Sequence, residues 1–296
     1  MRKILTIDVG GTFTKFAVAR GEKTFELVGK NKIPTEKKNH ETFLNSLAKI
    51  FHGVDAEGIA LSMPGLIDTF KGVCISSGAL NFSNGHCITD ELEKICGVPV
   101  TVENDANCAA LAEIRSGSLV GVKEALVLVF GTAVGGAVVR DGKIFRGVHH
   151  CAGEISYTLK SLDADFSEEN FCGNNFGALA LIKRCAKVLG KPAEDVSGEM
   201  IFDLIDAGDE KILDALEKFS YGVAVKILNL QMLFDPEKFA LGGGISEKKI
   251  FIDAIQNQID ALHKKIPVFL PRPEIVACKY RNDANLLGAL YRFLTI

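Results

Sequence analysis

The chain has no tryptophan, and none of its apolar runs approaches the ~20 residues that a membrane-spanning helix needs. It also lacks a charged, then apolar, then small-residue leader: "MRKILTID" turns strand-like by Ile4, so no secretory signal is expected. Cationic excess is missing too. The formal charge is −3, which supplies no global attraction to nucleic acid. The eight cysteines (Cys74, Cys87, Cys96, Cys108, Cys151, Cys172, Cys185 and Cys278) form no CxxC pair. Scattered this way, most are expected to be buried free thiols in a reducing, cytoplasmic compartment. A Walker A loop, GxxxxGK[ST], is absent as well.

What is present is 296 residues, 47% of them hydrophobic, more than one core comfortably holds. The pattern predicts strands over 3–9 and 13–20 and a third near 24–29, an antiparallel meander. A helix over 40–53 places Phe43, Leu47 and Phe51 on one face. Strands at 58–65 and "VPVTVEN" alternate with helices at "ITDELEKICG" and "DANCAALAEIRSG". Then the opening pattern returns: "ALVLVFGTAVGGAVVRDGKIF" is strand, glycine-rich loop, strand, Asp-Gly turn and strand. Shifted by 120 residues, Gly11-Thr12 falls on Gly131-Thr132, and Ala17, Val18 and Arg20 fall on Ala137, Val138 and Arg140. This is an internal duplication of a β-meander whose first turn carries Gly-Thr. Helices are expected over 177–189, 198–206, 209–233 and 247–264. "FALGGGIS" is expected as strand, triple glycine and helix start, and "EIVACKY" and "ANLLGALYRFL" as a last strand and helix.

The chemistry starts at "DVGGTFTK". Two glycines in a hairpin turn leave backbone N–H groups uncovered, and Thr12 adds a hydroxyl, so the turn can cradle phosphate oxygens. Asp8 beside it can hold Mg²⁺ through water. A plain glycine-rich hairpin with an acid in it is the other reading. The duplicate Gly131-Thr132 favours a pair of turns gripping a polyphosphate.

The stretches "DVGGTFTKFAV", "MPGLID", "ENDANCAALAE", "FGTAVGGAVVRDGKIFRGVHHCAGE", "LGGGIS" and "LLGAL" follow one another from residue 8 to 290. In this order they resemble the ROK family of sugar kinases, in the actin-like, ribonuclease-H-like ATPase superfamily. The resemblance implies a duplicated α/β fold, with a domain of residues 1–117 plus 284–296, a second of 118–283, and a cleft between them. It implies transfer of the γ-phosphate of Mg·ATP to a sugar hydroxyl, and a homodimer. Gly10, Gly11, Thr12 and Lys15 match the first phosphate loop, Gly131 and Thr132 the second, and Gly242, Gly243 and Gly244 the adenosine segment. Asp105 matches the catalytic base. Gly65, Asn81, Asn104, Asp105, Glu154 and Tyr157 fall at sugar-binding positions. The tetrapeptide "NDAN" proves little alone, since it recurs at 282–285, where Asp283 is expected as a turn or helix cap.

The pattern breaks in one place. Tyr157 stands where the family usually has a histidine, and "NFCGNNFGAL" replaces a C-x-C-G-x-x-G-C-x-E zinc motif. Asn170 and Gly177 replace thiolates, and Leu179 the glutamate. One thiol, Cys172, cannot build a tetrahedral site, so no zinc is expected. The adjacent His149, His150 and Cys151 are a poor alternative, because neighbours in sequence rarely face one ion. Loss of the polar pair makes the anomeric end of the pocket less polar and points to a β-glucoside or an N-acetyl sugar over strict glucose, while the resemblance implies O6 of a glucose-type sugar or β-glucoside as the acceptor. An N-acetylmannosamine kinase, a broad hexokinase and a catalytically weak sugar-binding sensor are the alternatives. A sugar-responsive repressor would need a helix-turn-helix ahead of a strand that already begins at Ile4.

Overall fold

In the computed structural model, residues 1–161 and 165–295 are described, and they divide into two compact units. The first comprises Met1–Arg115, Arg146–Cys151 and Asp283–Ile296, and the second Ser116–Phe145 and Ala152–Asn282. The short segment 146–151 thus packs with the first unit, although it follows the second meander in sequence.

In the first unit β1 (Arg2–Val9), β2 (Phe13–Gly21) and β3 (Phe25–Pro34) form the meander. Strand β3 runs five residues beyond the expected end at 29, to Pro34. Its polar end, "KNKIP", is exposed except for half-buried Ile33 and carries no alternation, but it pairs along β2 as far as Phe13↔Pro34. After α1 (His40–His52), β4 (Ile59–Met63) joins β1 in parallel. A small hairpin, β5 (Leu66–Asp68) and β6 (Val73–Ser76), then departs from the main sheet. Next come α2 (Ile88–Cys96), stopped by left-handed Gly97, then β7 (Val100–Asn104) and α3 (Asp105–Ser116). The sheet order is β3-β2-β1-β4-β7.

The second unit repeats the scheme. Strands β8 (Ala125–Phe130), β9 (Val134–Arg140) and β10 (Lys143–Phe145) form its meander. Helices α4 (Cys172–Phe176), α5 (Ala178–Leu189), α6 (Gly198–Asp206) and α7 (Glu210–Phe234) follow. Strand β11 (Lys238–Gly242), α8 (Lys249–His263) and β12 (Ile275–Ala277) complete a sheet of order β10-β9-β8-β11-β12. Position for position this matches the first sheet, as a duplicated α/β unit requires. The glycines after β11 lead into a 3₁₀ turn, Gly244–Glu247, before α8 begins.

The last helix, α9 (Ala284–Phe293), belongs to the first unit. Ala289, Leu290 and Phe293 pack with Ile4, Ala60 and Cys108 in one buried cluster. Gly288 sets the spacing: a Cβ there would sit 1.8 Å from the Cys108 carbonyl oxygen on α3. Backbone must move to admit even alanine. Gly288→Ala is expected to lose about 1–3 kcal/mol or more, read as a lower urea midpoint.

Among the described residues no helix is long and apolar enough to cross a membrane. All eight cysteines are free thiols. Four (Cys74, Cys108, Cys172 and Cys185) are buried, and Cys151 is exposed.

Candidate active site

Parallel strands end together, and ligands of open α/β sheets gather at their carboxyl ends. In the first unit, pairing aligns Asp8 with Ser62 and Ser62 with Glu103. Asp8 is therefore presented one strand away from the Glu103-Asn104-Asp105 turn. Asp8 Oδ1 accepts hydrogen bonds from Ser62 Oγ (3.1 Å) and Asn285 Nδ2 (2.9 Å). Burial raises the Asp8 pKa, while Asn285, the opposing Lys15 charge and Ser62 pull it back. Lys15 lies directly across the hairpin, paired with Asp8 in the β1–β2 register. Gly11 and Thr12 are exposed at the turn, and Gly10 is held by its N–H to the Phe13 carbonyl and by Thr35 Oγ1 on its own carbonyl.

Asp105 opens α3. Burial pushes its carboxyl up to about 6; the Ala106 N–H counteracts this and the nearby Asp8 charge adds to it. Its neighbour Asn104 is tied on three sides. Asn104 Nδ2 donates to the Gly65 carbonyl (3.0 Å), its Oδ1 accepts from the Asn107 N–H (3.0 Å), and its N–H donates to Glu103 Oε1 (2.9 Å). Glu103 also accepts from Asn107 Nδ2 and forms an ion pair with Arg146 Nη2. Arg146 comes from the 146–151 segment and lies over the Phe70 ring, with Arg292 of α9 at the same distance, 5.5 Å. Asn81 is exposed at the start of a 3₁₀ turn, Asn81–Ser83.

In the second unit the Gly131-Thr132 turn and the triple glycine share one end of the sheet. Gly243 has φ +91°, and a Cβ on it would lie 2.3 Å from the Phe130 carbonyl oxygen, so only glycine fits. The N-terminus of α5 meets the same turn, with the Ala178 N–H donating to the Gly131 carbonyl (2.7 Å). Helix N-termini and glycine turns both favour anions. Glu154 precedes a 3₁₀ turn, Ile155–Tyr157, whose Ile155 is anchored in the core. Tyr157 is 60% exposed and meets Phe171 edge-on at 5.9 Å.

The altered zinc segment is held by amides. Asn170 Nδ2 donates to Asp165 Oδ1, Asn174 Nδ2 to the Glu168 carbonyl, and Asn175 Nδ2 to the Glu169 and Phe171 carbonyls. Cys172 is buried, with its thiol toward the Leu159 carbonyl. This donor set does not fit zinc, which needs several thiolate or imidazole ligands.

Two supports were not visible in the sequence. Asn285 lies in the second "NDAN", whose Asp283 is expected as a turn or helix cap. Asp283 ends a 3₁₀ turn, Arg281–Asp283, and stands at the N-cap position of α9 without a side-chain cap hydrogen bond; its carboxylate pairs with Lys30 at 2.7 Å, while Asn285 reaches Asp8. Arg146 is the other. Only the proximity of strand ends reveals either.

The chain is 32% identical to a β-glucoside kinase of Listeria monocytogenes, over 99% of this chain and 97% of that protein. It is 30% identical to an N-acetyl-D-glucosamine kinase of Aliivibrio salmonicida, over 96% and 97%. A crystal structure of a ROK family protein from Streptococcus pneumoniae in complex with sucrose superposes with a TM-score of 0.86 at 30% identity, covering 99% of this chain and 98% of that one. The family model described as ROK family matches residues 4–295, and this chain belongs to that family.

Proposed function

We propose that this sugar kinase transfers the γ-phosphate of ATP to O6 of a glucose-type sugar or a β-glucoside, with Asp105 as the general base. The observation that carries the reading is the Asp105 carboxyl: raised to about 6, it suits proton abstraction near neutral pH. In phosphoryl transfer the protein chiefly positions groups and stabilises charge. Asn104, Glu154 and Gly65 orient the sugar, with Asn81 and Tyr157 bordering it. Gly10, Gly11, Thr12 and Lys15, with Gly131 and Thr132, hold the phosphates. Gly242, Gly243 and Gly244 face the adenosine. The donor set fits magnesium at Asp8, a carboxylate whose Oδ1 is already occupied by Ser62 and Asn285. Bound there through water, Mg²⁺ would neutralise phosphate charge. The enzyme acts in the cytosol as a homodimer in this reading.

The glycoside preference rests on Tyr157 and Leu179, two exposed side chains that stand where the family usually has a histidine and a glutamate. Support comes from the β-glucoside kinase relative and from the sucrose-bound neighbour, whose ligand is a disaccharide. The N-acetyl-D-glucosamine kinase relative favours the second reading, an acetamido sugar in the same opened pocket. ADP release with Mg·ATP should therefore be measured against glucose, mannose, fructose, N-acetylmannosamine, N-acetylglucosamine, cellobiose and an aryl β-glucoside. The expected result is a kcat/KM at least tenfold higher for cellobiose or the aryl glucoside than for glucose. A preference for an N-acetyl sugar would move the assignment to the second reading. Equal use of all hexoses would make the enzyme a broad hexokinase, and no stimulation by any sugar would leave a sensor.

A further inference from the structure

Away from the strand ends, three side chains of the first unit converge that the kinase chemistry leaves unused. His40 opens α1, His86 follows the Asn81–Ser83 turn, and Glu91 lies in α2. Their ligand atoms all lie within 4.8 Å of one another. The two imidazoles stack, with centroids 3.7 Å apart and planes 23° apart. Both present a nitrogen to one carboxylate: His40 Nε2 lies 2.9 Å from Glu91 Oε2, and His86 Nδ1 lies 3.2 Å from Oε1. We propose that His40, His86 and Glu91 form a binding site for a divalent transition-metal ion of the zinc, cobalt and nickel class.

The donor chemistry selects that class. Two imidazoles and one carboxylate suit these ions, whereas magnesium and calcium prefer oxygen ligands alone. His40 also has an outer partner. Its Nδ1 lies 3.1 Å from the hydroxyl of fully buried Ser83. Metal-ligating histidines ordinarily bond through their second nitrogen in this way, which fixes the tautomer. Ligation uses the neutral tautomers in which His40 carries its proton on Nδ1, facing Ser83 Oγ, and His86 carries its proton on Nε2. Both facing nitrogens then offer lone pairs to the ion. Beside the cluster lies a groove of about 330 Å³ lined by His40, Glu91, Glu41, Asn45 and Lys94, which leaves room for water on the remaining coordination positions.

An ion held there would cross-link α1 and α2 and, through Ser83, stiffen the turn that begins at Asn81. The binding itself is independent of the kinase assignment, and its test uses neither sugar nor nucleotide. Co²⁺ should be titrated into the full chain by equilibrium dialysis and visible absorption, in wild type, His86→Gln and Glu91→Gln. These two positions are 44% and 33% exposed, so the variants should fold, which circular dichroism would check. The expected result is one Co²⁺ per chain with ligand-field bands and no thiolate charge transfer, and at least tenfold weaker binding in each variant. Wild type that binds no Co²⁺, variants that bind as wild type does, or bound Co²⁺ that always carries a thiolate band would each overturn the site.

Discussion

Asp105→Asn should lower kcat/KM by about 10²–10⁴ and at the same time make the protein more stable at neutral pH. The first effect follows from loss of the group that accepts the hydroxyl proton. The second follows from linkage. In the folded chain the Asp105 carboxyl is raised from 3.8 to about 6, so the folded state binds its proton more tightly than the unfolded state. As pH rises from about 4 to about 6, ionising this acid therefore removes stability, and above 6 the whole cost is present. Asparagine carries no such charge. The variant should gain on the order of 1–3 kcal/mol over wild type above pH 6, with the gap closing toward pH 4. Urea unfolding at pH 4.5 and 7.5 reads this directly. In wild type kcat/KM should fall as pH drops through about 6. A variant that keeps activity, or loses it while losing stability at pH 7.5, would remove Asp105 from the role of base.

Glu103→Ala is expected to cost about 3–5 kcal/mol, because it leaves the Arg146 guanidinium without its carboxylate inside the fold. Glu103 is fully buried, and it gathers Arg146, the Asn104 N–H and the Asn107 amide. Two effects are mixed in that one substitution, and a second variant separates them. The double variant Glu103→Leu with Arg146→Met replaces the pair by apolar side chains of similar volume. It should recover most of the stability, since a buried pair replaced by packed apolar groups is often neutral. Activity should stay low, because Asn104 and the start of α3 lose the carboxylate that orients them. A double variant with wild-type KM and kcat would show that Glu103 serves the fold alone.

Much of this ROK sugar kinase is legible residue by residue. Strands β1, β2, β8 and β9 alternate or run apolar, the Gly-Thr turns punctuate them, and helices α1, α5, α7 and α9 carry apolar faces at helical spacing. Such signals are local: a strand's face and a helix's stripe depend on neighbours within a few residues. Where the local signal is weak the reading fell short. The polar half of β3 is a strand only because β2 offers hydrogen-bonding partners beside it. The β5–β6 hairpin is too short to show a period.

The sequence by itself determined the duplication, the paired glycine turns, Asp8 beside the first of them and Asp105 at the start of α3, since each is written in consecutive residues. Tertiary structure alone decided what surrounds those acids. Asn285 bonds Asp8 across 277 positions, and Arg146 meets Glu103 across 43. Burial, with the Asp8 charge adding to it, rather than residue type, moves the Asp105 carboxyl from that of an ordinary helix-opening acid up to about 6. Desolvation is a property of the packed environment, and no stretch of sequence carries it.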